Sequence, residues 1–383
     1  MGEKRDRIGL LYSPSSEWIA EAYYVQNIAL ALKTCDDALL PEIVVFCFSV
    51  KEFEEFRRTT GYPYLDMRII KRHVRKGRRF LDKLCCRLTF RPYFDPRRFP
   101  NEGDDVKFLY PLRGMDEKAD LSKYLAWIPD FQDKYLTHLF TKEDLEGRDK
   151  TFRSFIDNGV PIVLSSRDAQ NDLFKFYPQA NRLKTFVLPF AVTHPDFSDV
   201  NFAELKQRFG IKGEYLFCAN QFWMHKNHLM LFKAYKEALD NGLDLQLVCS
   251  GKLTDYRNQA YATEIRDFIA ENNLSGKILL TGFMERTDQL CLMSHAAAVV
   301  QPSLFEGWST VVEDAKALGK FVYLSNLRVH QEQMKSNVCF FDPYSVEDLS
   351  QKLLNVSPVT TPHDYKENIR QFGEIFIHMI NDF

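Results

Sequence analysis

The feature that most constrains the fold is a regular alternation of short apolar runs with longer segments of helical periodicity. In the second half, apolar runs at 215–220, 245–251, 277–283, 297–303 and 321–325 are separated by amphipathic segments. The first half shows the same alternation less cleanly, from RIGLLY to TFVLP. This alternation is typical of parallel sheets joined by crossover helices. Two such series predict an α/β protein built from two doubly wound domains that face each other.

A polar stretch with two prolines, LPFAVTHPDFSDVNF, interrupts the alternation at 188–202. Such stretches mark domain boundaries, and a chain of 383 residues suits roughly two domains of ~150 residues each. We therefore predict an N-terminal Rossmann-like domain at 1–190 and a C-terminal one at 191–358. A last helical segment, at 359–383, is expected to pack back on the N-terminal domain.

Composition and charge exclude several classes of protein. With 45% hydrophobic and 27% charged residues, the chain is neither disordered nor fibrous. A formal net charge of −2 argues against general nucleic-acid binding. The eight cysteines form no C-x-x-C pair, which favours buried free thiols over a zinc site or a disulfide framework. We see no signal peptide and no apolar stretch near the ~18 residues of a membrane span, so we expect a cytoplasmic protein.

The segment LFEGWSTVVEDAKALGK, at 304–320, follows a predicted strand and holds three carboxylates. In open parallel sheets, ligands bind beyond the carboxyl ends of the strands. The first amides of a helix attract phosphate, and Gly307 would let the backbone approach a ligand closely. The alternative interpretation is a helix start alone, in which Ser309 or Thr310 forms a capping box with one of the carboxylates.

A second cluster, CANQFWMHKNH at 218–228, also lies between a predicted strand and a predicted helix. Lys226 would neutralise phosphate oxygens, and Phe222 and Trp223 offer faces for stacking. The alternative interpretation of the lysine is a solvated helix start. Two histidines three residues apart raise the question of a metal site, but without a third ligand nearby they indicate none.

Together these segments resemble the C-terminal half of glycosyltransferase family 4 enzymes. The motifs that carry the resemblance, in family order and spacing, are NQFWMHKNH, CSGK, TGF, QPSLFEGWSTVVEDAKALGK and LSNLRVHQEQ. LAWIPDFQDKYL and SSRDAQNDL extend it into the first half, so that it covers roughly 120 to 350. The resemblance implies the GT-B fold, with two Rossmann-like domains facing across a cleft. It also implies that the C-terminal domain binds a nucleotide-diphosphate sugar and the N-terminal domain binds the acceptor.

The resemblance also assigns roles to individual residues. Glu306 falls where the family has a carboxylate close to the transferred sugar, and Lys226 where it has a lysine on the diphosphate. Asp314 falls where an acidic residue holds the ribose hydroxyls, and Asp130 is the catalytic candidate on the acceptor side. The implied donor-binding set is Asn220, Lys226, Gly251, Gly282, Phe283, Glu306, Gly307, Trp308, Ser309, Thr310 and Asp314. The implied reaction retains anomeric configuration and uses no metal or other cofactor.

Several positions depart from the family pattern, among them one near WIPDFQ, where many relatives carry a histidine and this chain has Pro129, Asp130 and Asp133. Asn220 stands where an arginine is common, and Asp314 where the family usually has glutamate. Ala20 and Glu21 replace a frequent Gly-Gly pair. We expect an active retaining transferase in polysaccharide or glycoconjugate synthesis at the cell surface, acting on a saccharide or lipid-linked acceptor. The alternatives are a catalytically impaired homologue that binds sugar nucleotides as a scaffold, and a nucleotide-sugar epimerase.

The first half contains a basic stretch, at 67–99, with twelve Lys or Arg and two Asp. Its leucines recur at helical spacing, and a basic amphipathic helix suits an anionic membrane surface or a phosphorylated acceptor. The alternative is a solvated helix packed on its own domain. The residues that we assign to the acceptor or membrane side are Arg72, Arg75, Lys76, Arg78 and Arg79. They would make the protein peripheral on the inner face of the membrane.

Overall fold

The computed structural model describes residues 5–14, 19–70, 105–114, 121–255, 258 and 260–383. Its first sheet contains seven parallel strands in the order β3-β2-β1-β4-β5-β6-β7. These strands are β1 (Arg7–Leu11), β2 (Glu42–Cys47), β3 (Leu65–Ile69), β4 (Leu109–Leu112), β5 (Tyr124–Ile128), β6 (Ile162–Leu164) and β7 (Thr185–Val187). The strand order reverses between β1 and β4, and in sheets of this kind ligands bind beyond that point of reversal.

Three of the five helices described in the first domain have side-chain caps at their starts. They are α1 (Ile19–Leu32), α2 (Val50–Thr60), α3 (Gln132–Tyr135), α4 (Lys142–Asp157) and α5 (Arg167–Phe176). Thr141 and Asp144 form a complete capping box at the start of α4, and Ser166 caps α5. Helix α2 ends at Gly61, whose φ of 53° lies in the left-handed region that favours glycine.

The second sheet contains six parallel strands in the order β10-β9-β8-β11-β12-β13. These strands are β8 (Tyr215–Ala219), β9 (Gln246–Ser250), β10 (Ile278–Gly282), β11 (Ala298–Gln301), β12 (Val322–Ser325) and β13 (Val338–Phe341). The strand order reverses between β8 and β11, the strands that precede the two motifs singled out in the sequence. The prediction of two doubly wound domains is confirmed.

The remaining helices follow these strands along the chain. They are α6 (Phe202–Phe209), α7 (His228–Asp240), α8 (Tyr261–Glu271), α9 (Arg286–His295), α10 (Thr310–Ala317), α11 (Arg328–Gln333), α12 (Val346–Asn355) and α13 (Tyr365–Asp382). Although α13 follows the second sheet in the chain, Phe372 and Phe376 lie in the same core as Ile8 and Tyr24 of the first domain. A Cβ at Gly373 would lie 2.6 Å from the carbonyl oxygen of Ala31, so α13 and α1 approach closely at that glycine.

The five cations that we assigned to the acceptor or membrane side, at 72–79, lie outside the described residues. Within the described part of the chain, no helix combines the length and the apolar character needed to cross a bilayer. The described cysteines are free thiols.

Candidate active site

Lys226 and Glu306, which the sequence places in two separate motifs, are in direct contact. Lys226 Nζ lies 2.6 Å from Glu306 Oε1, and the two side chains are only 15% and 10% exposed. The loops that carry them are also joined through the backbone, because the Leu304 N–H donates to the His225 carbonyl at 2.8 Å. Parallel strands explain the contact, since β8 and β11 are neighbours and their carboxyl ends meet at one edge of the sheet. An ion pair this well shielded from water is stronger than one at the surface.

Glu306 is held by two further donors. Gln301 Nε2 donates to Glu306 Oε1 at 2.9 Å, and Ser303 Oγ donates to the same oxygen at 2.7 Å. Gln301 is the last residue of β11 and is fully buried. Three donors on one carboxylate oxygen fix its orientation. Gln301 was not among the predicted site residues, and the available signal was a polar residue directly after the apolar run AAVV.

Asn220, predicted to bind the donor, lies beneath this carboxylate and is buried. Its Nδ2 donates to Gln301 Oε1 at 2.7 Å. Its carbonyl oxygen lies 2.2 Å from where a Cβ at Gly251 would be, and Gly251 has a φ of 138°. Close packing against Asn220 therefore explains why position 251, also predicted to bind the donor, is a glycine. That Gly251 contacts a ligand stays a prediction.

Asp314, predicted to hold the ribose, is buried in an ionic cluster. Its Oδ1 lies 3.0 Å from His194 Nε2, and Arg286 Nη1 donates to its Oδ2 at 2.7 Å. A second guanidinium nitrogen of Arg286 donates to Oδ1. Burial opposes ionisation, but Arg286 and His194 outweigh it and lower the pKa of Asp314. Neither partner was predicted, since each comes from a distant part of the chain.

Glu313, one position earlier on the same helix, is held by hydrogen bonds from three other side chains. Its carboxylate accepts hydrogen bonds from Lys316 at 3.0 Å, from Gln333 at 2.9 Å and from the Tyr365 hydroxyl. Ser309 caps α10, accepting from the Val312 N–H at 3.4 Å. The capping-box interpretation is wrong, because the residue at the third helical position is Val312 and the two acidic residues bond elsewhere.

The other predicted donor-binding residues are divided between the site and the domain seam. A Cβ at Gly307 would lie 2.2 Å from the Pro129 carbonyl oxygen, so the segment before α10 approaches the N-terminal domain closely there. Trp308 Nε1 donates to the Phe190 carbonyl at 3.0 Å and so faces that domain.

The remaining predicted donor-binding residues lie within the second domain. Phe283, beyond β10, is 54% exposed, and Lys252 Nζ lies 5.3 Å from the centre of its ring. Gly282 has a φ of 75°, and Thr310 begins α10.

Asp130, predicted to lie on the acceptor side, and two other carboxylates of the first domain are paired with arginines. Asp130 Oδ1 accepts from Arg148 Nη2 at 3.0 Å, and Arg148 also pairs with the buried Asp133 at 2.9 Å. Glu21, which stands where the resemblance led us to expect glycine, pairs with Arg113 at 2.9 Å. These arginines balance the carboxylates at the carboxyl edge of the first sheet.

A buried histidine lies near the Lys226–Glu306 pair. His330 Nδ1 is 2.9 Å from the Ser325 carbonyl oxygen, so that nitrogen carries the proton. Burial lowers the pKa of His330 to about 4, opposed in part by Glu306. Among the described residues, its Nε2 meets no hydrogen-bond partner. The imidazole is therefore neutral, and its bare acceptor nitrogen is inside the protein.

The two domains touch around the cleft as well as at the connecting segments. The Glu332 carboxylate accepts from the backbone N–H groups of Arg167 and Asp168, at 2.9 and 3.1 Å, at the start of α5. Arg328 pairs with Asp168 at 3.0 Å. The rings of Tyr135 and Phe305 lie 5.5 Å apart. These contacts bring the carboxyl edge of the first sheet close to the Lys226–Glu306 pair.

The described residues include no cluster of three or more His, Cys, Asp or Glu side chains arranged to hold a metal ion. The two histidines that raised the question pack on aromatic rings instead. His228 stacks on Phe222 with ring centres 4.1 Å apart, and His225 lies 5.6 Å from Trp223.

Comparisons with known proteins agree with this architecture. The model of a family described as Glycosyl transferases group 1 matches residues 201–372, just under half of the chain. A search of curated protein sequences finds no significant match.

Three solved structures illustrate the similarity of the fold. A glycosyltransferase from Rickettsia africae ESF-5 is 13% identical over 99% of this chain and 94% of its own, with a TM-score of 0.59. HepE from Anabaena, solved with UDP-glucose, is 13% identical over 98% of this chain and 97% of its own, with a TM-score of 0.59. WaaG, a glycosyltransferase involved in lipopolysaccharide biosynthesis, is 14% identical over 96% of this chain and 95% of its own, with a TM-score of 0.54. The chain thus has the GT-B fold, as predicted.

Proposed function

We propose that the protein is a glycosyltransferase that moves a sugar from a nucleotide-diphosphate sugar to an acceptor hydroxyl. The observation that carries this proposal is the 2.6 Å contact of Lys226 with Glu306 where the strand order of the second sheet reverses. The family match over 201–372 and the UDP-glucose bound by HepE support it. We further propose membership of family 4 and retention of anomeric configuration, on the motif resemblance.

Lys226 would stabilise the leaving diphosphate. In the structure its ammonium group bonds the Glu306 carboxylate, and a diphosphate beside it would compete with that carboxylate for the same cation. Charge that develops on the leaving group would be met by a donor already in place, with the first amides of α10 as further donors. In this way Lys226 and the backbone amides would supply the stabilisation that other transferases take from a metal, so we propose a reaction without a metal cofactor.

Glu306 would face the sugar. A carboxylate fixed by Gln301 and Ser303 can accept hydrogen bonds from donor hydroxyls and stabilise positive charge that develops on the sugar ring. For Asp314 to hold the ribose, a ribose hydroxyl would have to join or displace Arg286 on its carboxylate. Asp130 stays our candidate on the acceptor side, where contraction of the cleft would exclude water that otherwise hydrolyses the donor.

The test is nucleotide release and sugar transfer with UDP-, GDP-, ADP- and dTDP-sugars. We expect release with one donor, and a fall of at least ~10²-fold in Glu306→Ala and Lys226→Ala because each removes charge stabilisation at the reacting centre. The matched control is Lys236→Ala, since Lys236 pairs with Asp240 on the outer face of α7. It should retain full activity.

The alternatives give different products. Tight donor binding with no release under any acceptor would instead identify a binding or scaffold protein. Conversion of the donor to its epimer, without release, would identify an epimerase. The anomeric configuration of the product, read by NMR, tests retention.

We also propose a saccharide or lipid-linked acceptor in cell-surface glycoconjugate synthesis, and peripheral association with an anionic membrane through the basic stretch 67–99. Co-sedimentation with anionic liposomes tests the association. We expect it to weaken with salt and when Arg72, Arg75, Arg78 and Arg79 are changed to Glu. A pelleted fraction that these changes leave unaltered would rule it out.

A further inference from the structure

Two buried amides connect the floor of the site to Glu306. Asn220 Nδ2 donates to Gln301 Oε1 at 2.7 Å, and Gln301 Nε2 donates to Glu306 Oε1 at 2.9 Å. Both amide side chains are almost completely buried. A buried polar chain of this kind is costly unless each member is satisfied, so its presence needs a reason.

We propose that Asn220 and Gln301 are positioning residues that hold Glu306 in place when Lys226 turns to the diphosphate. This inference rests on the proposed function. Asn220 stands where family relatives commonly have an arginine, yet its side chain bonds inward to Gln301. Its contribution would reach the donor sugar through the orientation of the carboxylate.

The direction of the two hydrogen bonds matters, because an amide has one donor end and one acceptor end. The NH₂ group of Asn220 requires the oxygen of Gln301 to face it, which turns the NH₂ group of Gln301 toward Glu306. The opposite orientation of Gln301 would set its oxygen against the carboxylate and leave two NH₂ groups facing each other. Asn220 therefore selects the orientation of Gln301 that supports Glu306.

Donor binding would make this support necessary. Lys226 is one of three donors to Glu306 Oε1 and would be drawn toward the diphosphate. A carboxylate only 10% exposed, left without its cation, is strongly destabilised unless hydrogen bonds remain. Gln301 and Ser303 are the donors that would keep it oriented beside the sugar.

The experiment compares Gln301→Met, Asn220→Asp and the double variant in sugar transfer. Methionine has a similar volume without the donor, and Asn220→Asp is isosteric but would require the Gln301 amide to turn around. We expect each single variant to lose ~10- to 100-fold in kcat with little change in donor KM, because removing an orienting donor acts on the transition state. The double variant should lose no more than Gln301→Met alone, since Asn220 acts through Gln301. Losses that add, or that appear in KM alone, would overturn the inference.

The matched control is Gln246→Met. Gln246 is also a buried glutamine, but it lies at the start of β9, at the opposite edge of the sheet, where it accepts from the Lys212 N–H at 2.7 Å. We expect Gln246→Met to lower the free energy of unfolding without lowering kcat.

A crystal structure of Asn220→Asp separates this inference from the proposed function. We expect the Glu306 carboxylate to leave its contact with the residue at 301, whether or not the wild-type protein transfers sugar. A Glu306 side chain that stays in place would overturn the positioning role. A wild-type protein that transfers no sugar would overturn the proposed function instead.

Discussion

His330 is a neutral imidazole held inside the second domain, and this makes stability depend on pH. Its pKa is lowered to about 4 by burial, whereas an unfolded histidine has a pKa of about 6.5. Between these values the unfolded chain binds a proton that the folded protein does not. The neutral imidazole therefore contributes about 3 kcal/mol to the free energy of unfolding. This contribution is complete above about pH 6.5 and is lost as the pH falls toward 4.

We expect His330→Gln to flatten this dependence. The measurement is the free energy of unfolding by urea at pH 7 and pH 4.5, where the wild-type protein should lose more stability than the variant. His363→Gln is the control, since His363 is exposed. Equal losses in the wild type and His330→Gln would show that the imidazole does not stay neutral.

At the residue scale, a sequence can predict contacts that follow from strand order, although the contact of Lys226 with Glu306 was not among our predictions. Lys226 follows β8 and Glu306 follows β11, and these two strands are neighbours in the second sheet. Their proximity therefore follows from the strand order, without knowledge of side-chain packing. Arg286 and His194 meet Asp314 from 28 and 120 residues away, and no local pattern marks either as its partner. Such contacts depend on how the helices and the connecting segment pack within the second domain, which periodicity does not encode.

At the element scale, one helix of the second domain caps a helix of the first. Glu332, on α11, accepts from the first two backbone N–H groups of α5. A carboxylate at a helix start is favourable because it meets unpaired amides and the positive end of the helix dipole. Because cap and helix belong to different domains, this contact stabilises the arrangement of the two domains seen in the structure.

We expect Glu332→Ala to favour separation of the domains. Loss of about 1 kcal/mol would change the ratio of open to closed molecules by about fivefold. Small-angle X-ray scattering should then report a larger radius of gyration than for the wild type. Glu347→Ala, at the exposed start of α12, is the control. An unchanged scattering curve for Glu332→Ala would show that this contact does not hold the cleft.

Helix boundaries show where sequence patterns are weaker guides. Both Ser309 and Thr310 were candidates for the cap of α10, and the structure selects Ser309. The two acidic residues of this helix suggested a capping box, but they lie beyond the third helical position and bond to distant partners. A helix of eight residues cannot show by periodicity which of its polar side chains face a neighbouring domain.

At the scale of the whole molecule, α10 holds both segments that connect the domains. Asp314 bonds His194, which lies between β7 and α6, while Glu313 accepts from Tyr365 at the start of α13. The Tyr365 hydroxyl in turn accepts from the Val192 N–H at 3.0 Å. Both connecting segments are thus tied to one helix whose first turn lies at the candidate donor site. A ligand that moves this helix would move both connections together.

The place of α13 also bears on how the protein folds during synthesis. The core of the first domain includes Phe372 and Phe376, which are translated after the entire second domain. Domains whose residues are contiguous can complete their core as soon as they leave the ribosome. Here the apolar residues of α1 that pack on α13 stay exposed until α13 has been translated, although the second domain can already have folded. We therefore expect the core of the first domain to be completed only after α13 has been translated.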